Sequence, residues 1–223
     1  MMQSVKLNRL ENYTDQNTEA YNAIRTNIQF CGKSIKSICL TSCIPNEGKS
    51  VVSFSLATSM AESGKRVLFI DADLRKSVLL GRLKAESAVL GLTHYLTGQK
   101  ELEEVLYTTN LKHPDIIFTG PVPPNPSELL NSNMFRELIL KLKEVYDYII
   151  IDTPPLGAVI DSAIVASCCD GVILVVQSNA ISHKFAKDIV KQLKKGNCKI
   201  LGAILNKVDL KNNKYYGKYY GNY

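Results

Sequence analysis

Short apolar runs alternate with amphipathic ones along most of this chain, and that alternation predicts strand and helix in turn. Six runs, at 35–41, 66–70, 115–118, 148–151, 171–176 and 200–205, are apolar on consecutive positions and rich in Val and Ile. Such runs suit strands covered on both faces. Segments 49–63 (closed by Gly64), 127–143, 161–168 and 182–195 read as the helices between them. The order predicts an α/β fold with a mostly parallel central sheet and helices on both faces. Two stretches stand outside the rhythm: an N-terminal segment with a helix at 18–30, and a tail from 212 onward that reads Asn-Asn-Lys-Tyr-Tyr-Gly-Lys-Tyr-Tyr-Gly-Asn-Tyr. No core can be built from that tail, so a mobile extension is expected.

Composition narrows this picture modestly. At 223 residues with 45% hydrophobic positions, one large domain with a sizeable core is expected. A formal charge of +6 fits anionic partners without choosing among nucleotide, acidic lipid and nucleic acid. The six cysteines include no Cys-x-x-Cys pair and the three histidines are scattered, which argues against zinc and for reduced thiols in the cytoplasm. No apolar stretch reaches the roughly 18 residues of a membrane span, and no signal-peptide pattern opens the chain. Membrane contact is therefore expected through a partner.

Candidate chemistry begins at Ser42-Cys43-Ile44-Pro45-Asn46-Glu47-Gly48-Lys49-Ser50, which follows a strand and opens a helix. Loop amides and the helix N-terminus in that context bind phosphate. Asn46, Glu47, Gly48, Lys49, Ser50 and Val51 are the expected nucleotide contacts, with Lys49 on the β- and γ-phosphates and the Ser50 hydroxyl on Mg²⁺. The strict P-loop pattern would place glycine where Cys43 stands, and Asn46 occupies a second position suited to glycine. Two further strands end in acids, Asp71 with Asp73 and Asp152, where doubly wound sheets bind ligands. Asp152 reads as the residue that orients the metal shell. Asn206, in Asn206-Lys207-Val208-Asp209, is either a nucleotide-base contact or part of a polar turn, and its motif leaves GTP open. Pro121-Val122-Pro123-Pro124-Asn125-Pro126 is a stiff loop that either positions the next helix or faces substrate.

Across nearly its whole length the chain resembles the bacterial tyrosine kinases of capsule and exopolysaccharide biosynthesis, in their standalone cytoplasmic form. The resemblance rests on Glu19-Ala20-Tyr21 through Arg25-Thr26-Asn27, the Gly-Lys-Ser loop, and Asp71-Ala72-Asp73-Leu74-Arg75. It continues in Gly91-Leu92 through Tyr95-Leu96-Thr97-Gly98, Pro123-Pro124-Asn125-Pro126-Ser127-Glu128-Leu129-Leu130, Asp152-Thr153-Pro154-Pro155 and the tyrosine tail. It implies the P-loop NTPase fold, ATP and Mg²⁺ as cofactors, catalytic roles for Lys49, Asp71, Asp73 and Asp152, and a metal site of Ser50, Asp71 and Asp152. It further implies that Asp71 accepts the tyrosine proton. Residues 1–33 become a helical oligomerisation segment, 34–210 the kinase domain and 211–223 the flexible tail. A homo-oligomeric ring, octameric in known cases, is implied through Glu19 and Arg25, although Asn22 replaces the family's middle arginine. The implied partners are a membrane-embedded activator that regulates polysaccharide chain length, and a protein-tyrosine phosphatase; no nucleic acid is expected. The implied location is the cytoplasmic face of the membrane, held there by that activator.

Five of the eleven tyrosines, Tyr215, Tyr216, Tyr219, Tyr220 and Tyr223, fall in the last nine residues and are the expected phosphoacceptors. A tethered phenol reaches a neighbour's γ-phosphate without any unfolding, at high effective concentration. Tyr21, Tyr95, Tyr107, Tyr146 and Tyr148 read as packing residues. The main alternative is an ATPase switch of the partition and cell-division type. Those carry a second lysine early in the loop, where this chain has Ile44.

Overall fold

The structure, a computed structural model, describes residues 3–5, 15–79, 81, 89–109 and 114–209. The tail tyrosines, and Tyr13, lie outside the described residues.

Eight strands form one sheet: β1 (Gln3–Val5), β2 (Ser37–Ser42), β3 (Val67–Asp71), β4 (Leu106–Thr109), β5 (Asp115–Ile117), β6 (Tyr148–Asp152), β7 (Gly171–Gln177) and β8 (Ile200–Asn206), in the spatial order β1-β4-β5-β3-β6-β2-β7-β8. Neighbours pair in parallel except β4 with β5. The helices are α1 (Asp15–Phe30), α2 (Lys49–Glu62), α3 (Leu92–Leu96), α4 (Leu102–Val105), α5 (Pro126–Leu130), α6 (Asn133–Val145), α7 (Asp161–Ser167) and α8 (His183–Lys195).

The consecutive apolar positions have a direct structural reason. Side chains alternate across a strand, and both faces are covered in β2, β3, β5, β6 and β7, whereas the edge strand β8, expected to be buried in the same way, is half-exposed. On one side Cys39, Leu68, Ile70, Ile149, Ile151, Val172 and Leu174 pack with residues from α3 through α8. Their chain neighbours Ile38, Leu40, Val67, Phe69, Ile150, Ile173 and Val175 face the other side, with Ile28 of α1 and the apolar residues of α2. Phe54 of α2 meets Phe69 edge-on, with ring centroids 5.3 Å apart.

Three features depart from the sequence reading. The helix expected over 127–143 is two helices, because the Ser132 hydroxyl accepts from the Phe135 amide at 3.2 Å and starts α6 afresh. The short β1 and β4 complete the sheet on the β5 side. The segment before β4 folds into α3 and α4, and its entry is a backbone crossing. The Leu92 and Thr93 amides donate to the carbonyls of Phe118 and Thr119 at 2.6 and 2.9 Å. A Cβ on Gly91 would lie 2.4 Å from the Phe118 oxygen and 2.3 Å from the Gly120 nitrogen. Of the tyrosines expected to pack, Tyr107 and Tyr146 are buried, and the Tyr146 hydroxyl donates to Asp115 at 2.8 Å.

Because backbone cannot yield at that crossing as a side-chain tip can, Gly91→Ala is expected to cost about 1–3 kcal/mol. Thermal unfolding should show a melting temperature several degrees lower, and an unchanged value would mean the crossing is loose.

Candidate active site

All the strand ends singled out by sequence meet at the C-terminal edge of the parallel sheet. Register does most of the work. Asp71 of β3 and Asp152 of β6 are paired residues on adjacent strands, so their two carboxylates are neighbours by construction. The Ala72 amide donates to the Asp152 carbonyl at 2.8 Å and extends that pairing one residue further. On the opposite flank of β6, β2 ends at Ser42 and feeds the loop that opens α2.

The loop holds its shape through left-handed backbone and one buried acid. Gly48 has φ 86° and Asn46 φ 67°, which bears out the tolerance expected of an asparagine there. Glu47 is buried, and its Oε2 accepts from the Cys43 and Ile44 amides at 2.7 and 2.9 Å. Its Oε1 accepts from the Gln177 amide at 3.0 Å, tying the loop to β7. The Glu47 side chain is therefore spent on the loop itself, leaving its main chain as the part that can serve a phosphate. Burial pushes the Cys43 thiol up to about 12, so the residue at the missing glycine position is a protonated, inert filler.

Asn206 closes the other side. Its Nδ2 donates to the Glu47 carbonyl at 2.8 Å, and a Cβ on Gly48 would come within 2.3 Å of that same nitrogen. Next to it, the Lys207 ammonium donates to the Asn46 carbonyl at 2.7 Å and to Gln177 at 2.9 Å. The 206–207 segment thus staples β8 to the phosphate loop, a tie that its motif does not announce.

Lys49, at the first turn of α2, is buried and points back to the sheet. Its ammonium donates to Asp152 Oδ1 at 2.9 Å and to the Ser50 hydroxyl at 3.3 Å. Ser53, one turn further along α2, donates to the same Asp152 oxygen at 2.9 Å. Asp71 has no cation of its own so close. Its side chain accepts from the Ser77 hydroxyl and from the Asp73 amide at 3.3 Å. Burial, and after it the charge on Asp152, push the Asp71 carboxyl up to about 7. Asp73 sits at the rim and accepts from the amides of Arg75 and Lys76, shaping the turn after β3.

A hard divalent cation fits this donor set, since the Ser50 hydroxyl and the Asp71 and Asp152 carboxylates supply oxygens around one point of negative charge. Among the described residues, no group of three or more His, Cys, Asp or Glu side chains could hold a metal alone. Phosphate oxygens and water would have to complete the shell, as is usual for Mg²⁺.

Sequence reasoning missed one cluster altogether. Arg75 forms a two-pronged pair with Asp161, Nε to Oδ2 at 2.6 Å and Nη2 to Oδ1 at 3.1 Å, and also donates to the Ser127 hydroxyl at 2.9 Å. Ser127 in turn donates to Asp161 at 2.6 Å. Asp161 is fully buried, whereas the Arg75 side chain is 40% exposed. This knot fixes the loop carrying Asp71 and Asp73 to the first turns of α5 and α7. An acid in a helix's first turn reads as an ordinary cap, so only its partner reveals it. The proline-rich loop delivers Pro126 to the first turn of α5, with Ser127 beside it, which favours the positioning role.

Glu19 and Arg25, expected at an oligomer interface, lie away from this cluster, on α1. Glu19 is exposed, and Arg25 donates to the Ser59 carbonyl of α2 at 3.0 Å.

With this geometry in view, the relationships of the chain are clear. Residues 35–204 match the family model of an AAA domain. The chain is 46% identical over 205 residues to the tyrosine-protein kinase CpsD of Streptococcus agalactiae, covering 92% of this chain and 89% of that one. The solved kinase domain of Escherichia coli tyrosine kinase ETK superposes with a TM-score of 0.83 at 36% identity, covering 88% and 78% of the two chains. The septum site-determining protein MinD of Pyrococcus horikoshii, solved with Mg-ADP, superposes with a TM-score of 0.67 at 27% identity, covering 78% and 71%. The fold is that of the P-loop NTPases.

The raised Asp71 carboxyl predicts a pH dependence of stability. Near the ordinary value of 3.8 both folded and unfolded chains still bind the proton; from there to about 7 only the folded chain retains it. Stability should therefore fall as pH rises through that window and level off above it. Asp71→Asn is expected to be a few kcal/mol more stable than the wild type at pH 8 and nearly equal to it at pH 4. Urea unfolding without nucleotide or Mg²⁺ checks this, and an equal difference at both pH values rejects it.

Proposed function

The chain belongs to the bacterial tyrosine-kinase family of the capsular and exopolysaccharide type and is a protein-tyrosine kinase, and on that premise we propose how its own residues carry the reaction. The observation that carries the reading is the convergence of Lys49, Asp71 and Asp152 on one edge of the sheet, beside a loop of left-handed backbone. ATP is the phosphate donor in this reading. Main-chain amides at Gly48, Lys49, Ser50 and Val51 and the N-terminus of α2 bind its phosphates, with Asn46, Glu47 and Asn206 shaping the rim. Mg²⁺ held by Ser50, Asp71 and Asp152 would neutralise charge on the transferring phosphoryl group. Its binding beside MinD's ADP supports that choice.

The tyrosine oxygen attacks the γ-phosphorus in line, the bond from γ-phosphorus to the bridging oxygen breaks, and ADP leaves. Asp71 takes the phenolic proton. Its place at the strand end, paired with Asp152 on the edge that Lys49 also faces, puts it beside the transferring group in this reading. Lys49 carries positive charge to the β- and γ-phosphate oxygens, which requires its ammonium to exchange part of its contact with Asp152 for the nucleotide. Asp73 and the Arg75 knot keep the acidic loop in place.

The acceptors we propose are Tyr215, Tyr216, Tyr219, Tyr220 and Tyr223 of a neighbouring subunit. The neighbour comes from a ring built through the N-terminal segment, with Glu19 and Arg25 at the contact. A membrane-embedded activator and a phosphatase set the level of phosphorylation at the cytoplasmic face, and through it polysaccharide polymerisation and export.

Intact mass after incubation with Mg-ATP, with and without a candidate activator peptide, tests the reading. The expected result is a ladder of steps of about 80 Da, one phosphate each, absent from Lys49→Met and from a chain truncated before Lys214. No added mass, with steady release of ADP, would favour the ATPase-switch alternative that the likeness to MinD keeps in play.

Five phosphates would move the chain from +6 to roughly −1.5 to −4. We expect the resulting repulsion to eject the tails and loosen the ring. Native mass before and after phosphorylation reads this directly, and an unchanged assembly would count against it.

A further inference from the structure

The positive charge of this protein is concentrated in one place. Residues 183–199 contain Lys184, Lys187, Lys191, Lys194, Lys195 and Lys199 against a single acid, Asp188, a net of +5 within a chain whose total is +6. Five of these lysines lie on α8. At 3.6 residues per turn they fall within about 100° of arc, along a helix about 20 Å long. The opposite face of α8 buries Ile189 and Leu193 in the core, so its orientation is fixed and the lysine face points outward. All six lysines are exposed. Among the described residues only Lys191 is ion-paired, to Asp188 at 3.1 Å.

Beside the first turns of α8, and well round the helix from the lysine face, Phe185 is 37% and Ile160 49% exposed; both border a shallow groove of mixed character that Leu156, Ile189, Asp188 and Gln192 also line. The catalytic chemistry proposed above leaves this face unused.

We propose that the lysine face of α8 lies directly on the anionic surface of a lipid bilayer. This contact is additional to any attachment through a membrane partner. Three observations favour a bilayer over a nucleic acid. The helix carries lysine and no arginine, and lysine is the point charge suited to diffuse headgroups, whereas arginine's fork is the usual reader of individual phosphates. The stripe is straight and rigid, matching a plane. Its neighbouring exposed aromatic is a single Phe beside aliphatic side chains, which is not the row of stacking rings that single strands use. A cluster of four to eight lysines on an amphipathic helix is the pattern that anionic membranes attract.

The test is flotation of the full chain with vesicles of phosphatidylcholine alone, or doped with phosphatidylglycerol, at low and high salt. The chain should float with the anionic vesicles only, and high salt should release it. Each lysine lost near such a surface weakens binding about fivefold, so Lys187→Gln, Lys191→Gln and Lys194→Gln together should weaken it about a hundredfold. Their phosphate ladder and melting temperature should stay unchanged. The same three positions changed to Arg should bind like the wild type. Failure of the wild type to float, undiminished binding by the triple Gln variant, or loss of binding in the Arg variant each overturns the proposal. So does tighter capture by a single-stranded oligonucleotide at matched salt, which would mark a nucleic-acid face. Flotation does not depend on kinase activity, so the failure of either idea leaves the other standing.

Discussion

Two carboxylates side by side in a dry sheet edge are the constraint around which this molecule is arranged. Asp71 and Asp152 are register partners on adjacent strands, and both are almost fully buried. Buried like charges are costly unless something of opposite sign is close. The Lys49 ammonium, 2.9 Å from Asp152, is that group, and it stands there because α2 begins one loop after β2, on the far flank of β6. Asp71 meets the same constraint differently, through a carboxyl that stays near neutrality. A buried ion pair is poor evidence of stabilisation in itself, since packed apolar residues would often do as well. Its placement here makes sense as chemistry, because the charges that strain the fold are those a magnesium nucleotide would engage.

The surroundings serve to hold that edge still. Glu47 binds three amides from two elements, and Asn206 and Lys207 bring the end of β8 onto the loop. On the other side Arg75 joins the acidic loop to Asp161 and Ser127. The loop needs these ties because it contains left-handed backbone at Asn46 and Gly48, conformations that persist only where the surroundings enforce them.

The tyrosine kinase ETK and the septum-site protein MinD share this fold. Such a frame fixes where phosphate chemistry happens and leaves the acceptor to other parts of the chain. The proposed acceptors lie in the tyrosine-rich C-terminal segment, outside the described residues.

Taken alone, the sequence determined the architecture and the place of the candidate site. All six predicted strands formed within a residue or two of their expected bounds. Five of them are covered on both faces, which leaves an unbroken apolar run, whereas β8, expected to be buried likewise, is a half-exposed edge strand. Lys49, Ser50, Asp71 and Asp152 were legible because each stands at a fixed place, a strand end or a helix start, where local pattern already tells the side chain's position. What only tertiary structure decided were the partnerships across distance. Asp161 stood only as the first residue of an expected helix, and its pairing with Arg75, 86 positions away, came from the structure. Asn206 was read as a turn residue or a base contact, and that its amide also ties β8 to the Glu47 carbonyl only the structure shows. The break at Ser132 turned on one hydroxyl choosing a local amide. The three residues of β1 were invisible because their partner β4 lies far along the chain, and β4 because four residues carry too short a pattern. Local pattern records what a residue prefers among its neighbours in sequence; which distant group it meets is set by how whole elements pack, and a single chain of letters does not carry that information explicitly.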